Sequence, residues 1–337
     1  MSERFAVDGI WLGAARGPAA LELGWDAPAA PGRLRLLQAA PAKLPRLALT
    51  VLPALTDHHV HLGLVERELL ADGPLAEVHD LGWVLEEALA WRARPPRGLT
   101  VKVAGPFHTA PGGYPSGRYW APAAAVRALA DAADARAAVA DAAAAGVDAI
   151  KIALHSGMPL LGDEPLQALV RAAHAAGLPA IVHAEGPGQA ARAIDAGADV
   201  LVHTPWSEPL SDAVLRRALS TTWISTLAIH DAPGRAVATE NLRRFRALGG
   251  RIRYGTDMGN GPTPVGPSAP ELTALAQAGL SVDELIAAMT EPGLEQNGLR
   301  ADRVLVCERP LPASCEELVA WLDDCRRVSA EELLELR

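Results

Sequence analysis

The chain has 337 residues, half of them hydrophobic, and a formal net charge of -9. That length holds one large α/β barrel or two ordinary domains, with a core that needs no disulfides. The acidic balance disfavours nucleic acid or an anionic membrane as the main partner and makes a small molecule the default.

In chain order, Met1-Ser2-Glu3-Arg4 leads into no long apolar stretch, so no signal peptide is expected. Residues 1–50 are rich in Ala, Pro and Gly, with short strand-like pieces at 33–37 and 47–52 and a turn signal at Ala30-Pro31-Gly32. They predict a small, abridged β accessory layer ahead of the main domain. From about residue 50 strands and helices alternate. The first strand runs into Asp57-His58-His59-Val60-His61. His59 and His61, two apart on an extended segment, face the same side and can reach one metal ion, while His58 points away and is read as structural.

A unit then recurs: an Ala-rich helix ends at glycine, a short apolar strand follows, and a polar residue closes it. Gly146 leads to Lys151, Gly177 to His183, Gly197 to His203, and Gly249-Gly250 to Asp257. Glycine suits the left-handed position past a helix, and near-continuous apolar strands suit a parallel sheet buried on both faces. Candidate strands lie near 51–56, 77–81, 99–105, 147–154, 179–184, 199–204, 222–229 and 251–256, and the longest helical stretch spans 122–145. Eight such units in about 240 residues predict a (β/α)8 barrel over 51–299. The alternative, a doubly wound open sheet, lacks a Gly-rich phosphate loop after its first strand.

Past the barrel, 281–299 reads as a helix ending at Gly298, 303–307 as a strand and 314–337 as one or two amphipathic helices, so that 300–337 joins 1–50 in the accessory layer. Cys307, Cys315 and Cys325 lie here without a Cys-x-x-Cys pair, which fits a reducing compartment and disfavours a cysteine-ligated metal. With no uninterrupted apolar run of membrane-spanning length, the expected location is the cytoplasm.

In a barrel, functional residues gather at the C-terminal ends of the strands. There stand His59, His61, Lys151, His183, His203 and Asp257. A lysine in an apolar run is costly without a partner, so Lys151 asks for an explanation. Substrate contacts are expected from the loops after the strands: Tyr114, Arg118 and Trp120, then Trp206, then His230. Arg118 suits a carboxylate and the aromatics suit an apolar group. Ser156, Met158 and Asn260 sit in similar loops, and Glu185 is placed to steady His183. His79, His108, His155 and His174 are read as non-ligands.

This set resembles the metal-dependent amidohydrolase superfamily, in its binuclear subtype. The likeness covers about 51–299. It includes Glu77-Val78-His79-Asp80-Leu81-Gly82, Gly105-Pro106-Phe107-His108-Thr109-Ala110-Pro111-Gly112-Gly113 and the stretch from Met289-Thr290-Glu291-Pro292 to Gly298-Leu299, which resemble members related to imidazolonepropionase and prolidase. Tyr114 departs from the histidine often found after the Gly-Gly pair.

The resemblance implies two divalent metals, Zn first, with Mn, Fe or Co as alternatives. His59, His61 and Asp257 would hold the more buried ion, His183 and His203 the other, with Lys151, carbamylated, bridging them. It implies a hydrolase of an amide, cyclic amide or lactone in which a metal-bridged hydroxide attacks and Asp257 serves as general base, then acid. The competing readings are a mononuclear metal-dependent deaminase, which Lys151 argues against, and a non-catalytic barrel binding protein, which the full ligand set argues against. The sequence leaves a homo-oligomer open.

Overall fold

The computed structural model describes residues 2–13, 15–24, 33–37, 43–290, 299–300 and 304–336. The strands are β1 (Ser2–Leu12), β2 (Ala15–Gly24), β3 (Arg33–Leu36), β4 (Arg46–Pro53), β5 (Leu55–Val60), β6 (Leu75–Asp80) and β7 (Thr100–Val103). Then come β8 (Phe107–Thr109), β9 (Val126–Ala128), β10 (Ile150–His155), β11 (Ala180–Glu185) and β12 (Val200–Val202). The order closes with β13 (Thr222–Ile224), β14 (Arg251–Arg253), β15 (Leu299–Arg300), β16 (Val304–Cys307) and β17 (Arg326–Val328).

Two parallel sheets carry the centre of the molecule. One is β5-β6-β7 and the other is β14-β13-β12-β11-β10-β8-β9. Each is a separate ladder, yet isolated backbone hydrogen bonds span both gaps. Asp148 N donates to Val103 O at 2.7 Å on one side. On the other, His58 N donates to Tyr254 O at 3.1 Å, Asp257 N to His59 O at 2.9 Å and His61 N to Met258 O at 2.8 Å. One apolar residue from each of six successive segments, Leu81, Ala104, Ala149, Ile181, Val202 and Ile224, makes a small buried cluster of its own. It is distinct from the larger core between strands and helices.

The helix Ala132–Ala145 shows how the sequence sets its boundaries. The Asp131 carboxylate accepts from Ala133 N and Asp134 N, and Gly146 ends the helix in the left-handed region at φ +78°. Asp131 is a strong helix start, so the stretch 122–145 does not form one helix. Its first part holds a short 3-10 turn and β9 instead.

The accessory layer is larger than the sequence suggests. It is a seven-stranded sheet in the order β15-β3-β2-β1-β4-β16-β17. The apolar run before the histidines is divided at Ala54: β4 pairs with β1 and β16 in this outer sheet, and β5 pairs with β6. The outer sheet therefore extends to Pro53, past the expected boundary at residue 50, and the first central strand starts at Leu55 rather than near 51. The layer looked abridged because its strands find partners far away in sequence. Its own core joins Phe5, Val7, Leu21 and Val51 with Val304 and Val306.

At the C-terminal end the helices are Cys315–Asp324 and Ala330–Glu335, with β17 between them. The helix expected over 281–299 is present as Val282–Ala288. The turn at Ala30-Pro31-Gly32, and Glu291-Pro292 and Gly298 of the barrel-closing motif, lie outside the described residues. Among the described residues no helix is long and apolar enough to cross a membrane.

Candidate metal centre

The polar residues that close the strands meet at one cavity of about 490 Å³. His59, His61, Lys151, His183, His203 and Asp257 all line it. All six are buried, the most exposed being His61 at 7%.

β5 brings His59 and His61 to the same face, and their rings stand 5.1 Å apart. Asp57, at the head of the motif, is a brace rather than a ligand. Its carboxylate accepts from His59 N at 3.0 Å, Thr256 N at 3.1 Å and Thr256 Oγ1 at 2.5 Å, so it ties β5 to the segment that carries Asp257. Burial raises the Asp57 carboxyl to about 7 against these hydrogen bonds.

Asp257 Oδ1 then lies 3.3 Å from His59 Nε2 and 3.2 Å from His61 Nε2. Asn260 Nδ2 donates to the other oxygen at 2.7 Å. His61 Nδ1 is 3.2 Å from Gly82 O, and donation there leaves its Nε2 with a lone pair. Neither His59 Nε2 nor Asp257 Oδ1 has a hydrogen-bond partner, although both are fully buried. Buried polar atoms without partners are costly. Two imidazole nitrogens and a carboxylate oxygen converging in this way suit a divalent ion of the zinc type. His59, His61 and Asp257 form one such group of three.

Electrostatics agree with that donor set. Burial pushes His59 well below its ordinary range, helped by Lys151, so the ring is neutral as a ligand must be. Burial works upward on Asp257, but its facing histidines, His59 first, outweigh it and hold the carboxyl well below the usual carboxylate range.

The second half is held differently. His183 faces His203 at 5.0 Å between ring centroids, almost perpendicular. His183 Nε2 lies 3.3 Å from Glu185 Oε2, and His203 Nδ1 lies 2.7 Å from Thr226 Oγ1. Each ring thus has one nitrogen engaged by a side chain and the other left over, the usual arrangement around a metal-binding histidine. His203 follows inward-facing Val202, so regular alternation would turn it outward. Its left-handed backbone, φ +73°, breaks the alternation, as does φ +54° at Asp257 and φ +48° at Thr226. Such conformations in residues other than glycine cost about 1 kcal/mol or more each and cluster at functional sites.

Lys151 is 1% exposed, and its Nζ sits 5.7 Å from the Phe107 ring centroid. Burial lowers its amine to about 7, against the opposing pull of Asp257 and Asp80. Phe107 reaches it because residue 82 is glycine, where a Cβ would come within 2.2 Å of the Phe107 ring.

Of the expected substrate contacts, Tyr114, Trp120, Trp206 and His230 line the cavity, and Arg118 does not. The Arg118 guanidinium carbon lies 5.8 Å from the Tyr114 ring centroid, and Arg118 Nη2 is 3.9 Å from Met158 Sδ. Asn260 lines the cavity, whereas Ser156 and Met158 stand outside its lining. His58 faces away, with Nδ1 2.9 Å from Tyr254 O. His79 is 3.0 Å from Glu77, His108 is 2.9 Å from the Lys151 carbonyl, and His174 is 2.8 Å from Asp199.

Two residues gain weight from the structure. His155 is aligned with Glu185 in the β10–β11 register, its Nδ1 lies 2.8 Å from Glu185 Oε2, and with His183 they form a second group of metal-binding type. The signal was its even spacing from Lys151, which puts both on one face of a strand that runs to His155. Asp80 is fully buried at the end of β6 and accepts from Leu62 N at 2.8 Å. Its alternation with buried Val78 was the readable sign.

No family model matches the chain, and no curated protein matches it in sequence. Solved structures do match. A Xaa-Pro dipeptidase with bound methionine has a TM-score of 0.73 at 18% identity, covering 98% of each chain. A putative prolidase from Bifidobacterium longum gives 0.73 at 22% identity, over 97% of this chain and 93% of the other. The chain shares the fold of these two proteins. Aspergillus niger ochratoxinase shares it, with a TM-score of 0.73 at 17% identity over 96% and 93% of the two chains. The likeness to amidohydrolase-type proteins read from the motifs therefore holds for the fold across nearly the whole chain, including the outer sheet.

Proposed function

We propose that the protein is a metal-dependent hydrolase that cleaves the C–N bond of an amide or cyclic amide, or the C–O bond of a lactone, in a small molecule. The two parallel sheets are read as arcs of one distorted (β/α)8 barrel, joined by the isolated hydrogen bonds across both gaps. The observation that carries the reading is the convergence of His59, His61 and Asp257 with unpartnered buried atoms, beside His183, His203 and Lys151.

His59, His61 and Asp257 would hold one divalent ion, and His183 and His203 the second, with zinc the first choice and Mn, Fe or Co alternatives. Two such ions supply Lewis acidity and a water of lowered pKa. Lys151 would bridge them as a carbamate. An amine near pH 7 in its basicity is partly neutral, and its lone pair can add to carbon dioxide with loss of one proton.

Asp257 is the proton carrier. Its carboxyl stays ionised at neutral pH, and Asn260 fixes the orientation of the carboxylate at the cavity. It would take a proton from the attacking water and deliver it to the leaving nitrogen. His230 Nε2, buried and without a partner, is placed to hydrogen-bond the substrate.

The test is metal analysis joined to turnover. The chain should carry about two metals, lose the second in Lys151→Ala, and hydrolyse members of a panel of amides, cyclic amides and lactones. Full loading without any hydrolysis would favour a binding protein. A single metal unaffected by Lys151→Ala would favour a mononuclear deaminase.

A further inference from the structure

The cavity has two aromatic walls. On the His61 side, Phe107 and Trp120 meet edge to face at 6.1 Å, with Trp120 6.0 Å from the His61 ring, and Tyr114, 6.1 Å from Trp120, continues this wall to His183, on which it stacks at 5.0 Å. On the His203 side, Trp206 stacks on His230 at 4.5 Å and meets His203 at 5.3 Å. The charged residues lining it are Lys151, Glu185 and Asp257. Lys151 and Asp257 belong to the proposed metal centre, and the remaining charge among the described lining residues is the Glu185 carboxylate, held at its edge by His155 and His183. Among the described lining residues there is no arginine, and Arg118 lies exposed against Tyr114 rather than in the cavity.

We infer that this cavity selects an uncharged amide bearing a flat aromatic group, and discriminates against substrates with a free carboxylate beside the scissile bond. The inference rests on the hydrolase reading above and narrows it. Flat apolar groups gain from burial and from stacking on tryptophan and tyrosine. A carboxylate entering the same space would lose its hydration, find no cation among the described lining residues remote from the metal ligands, and meet Glu185. This separates the site from one built to bind free amino-acid ends.

A matched pair tests it: N-acetyl-phenethylamine and N-acetyl-phenylalanine differ only by the carboxylate, and each has a single amide bond. For the metal-loaded protein, kcat/KM and the calorimetric affinity should both favour the neutral compound by about tenfold or more. Trp206→Ala should reduce that affinity by roughly tenfold while the ion at His59, His61 and Asp257 is retained. Equal or better use of the acid overturns the inference, and loss of that use in Arg118→Ala would identify Arg118 as a carboxylate clamp. Failure of both compounds to bind overturns it as well. Preferential binding of the neutral compound with no cleavage of either supports the selectivity and instead removes the hydrolase reading for these bonds.

Discussion

The two halves of the candidate metal centre differ in how far the protein engages their donor atoms. In the His183–His203 half, Glu185 and Thr226 already engage one nitrogen of each ring. In the half formed by His59, His61 and Asp257, Gly82 O faces His61 Nδ1 and Asn260 holds Asp257 Oδ2, but His59 has no partner at either nitrogen and Asp257 Oδ1 has none. One half is organised by the protein. The other leaves buried donor atoms facing each other without hydrogen-bond partners, a lack that a cation would satisfy. The first ion should therefore bind tightly and stabilise the fold, whereas the second should depend on the side chains around its ligands.

Variants can break that comparison. The largest effect is expected for Asp257→Asn, which removes the proposed proton carrier and the proposed charged ligand together. Turnover should fall by about a thousandfold or more, and the first ion should be lost more readily, read by steady-state kinetics and metal analysis. An Asn variant with native metal affinity would show that the first half is also organised by the protein. Next, Lys151→Ala should lower the metal count from about two to about one, with hydrolysis falling accordingly. Competition titration with a chelator would locate the loss in the weaker site. Glu185→Gln should weaken only the second ion, by roughly 10–100-fold. Equal weakening of both ions would mean that the two halves act as one unit.

A separate effect, on stability rather than on turnover or metal binding, concerns the scaffold of the second half. Glu271 is fully buried and accepts from Ala228 N at 2.7 Å, in the turn that carries Ile229 and His230 to the cavity. Burial raises its carboxyl from 4.5 to about 7. The folded protein therefore holds this proton more tightly than the unfolded chain. Stability from this source is full below about pH 4.5 and is lost as pH rises to about 7, up to roughly 3 kcal/mol. Glu271→Gln should flatten that part of the curve in denaturant titrations at successive pH values, and an unchanged slope would assign it to another group such as Asp57.

Much of this site was legible in the sequence because its signals are local. Helix-ending glycines, short apolar strands and a polar closing residue at Lys151, His183, His203 and Asp257 each follow from nearest-neighbour physics, and strand alternation separated His59 and His61 from His58. What resisted reading depends on distant partners. The division of 46–60 into two strands in different sheets follows from β4 pairing with β16, which no local pattern encodes. His155 gained significance only when β10 and β11 aligned it with Glu185. The inward turn of His203 required a left-handed backbone that its residue type does not advertise.

The outer sheet has a consequence for how the molecule is made. Pro53 pairs with Val304 and Thr50 with Cys307, while Leu34 pairs with Leu299. Strands emerging early from the ribosome must wait for partners made near the end, and contacts of such long sequence separation form slowly. Until then the edge of β4 stands open, an invitation to pair with another chain. Prompt folding of the central sheets, which consist mostly of neighbouring βα units, would shorten that exposure, and a nascent chain stalled before residue 304 is the species in which aggregation should begin.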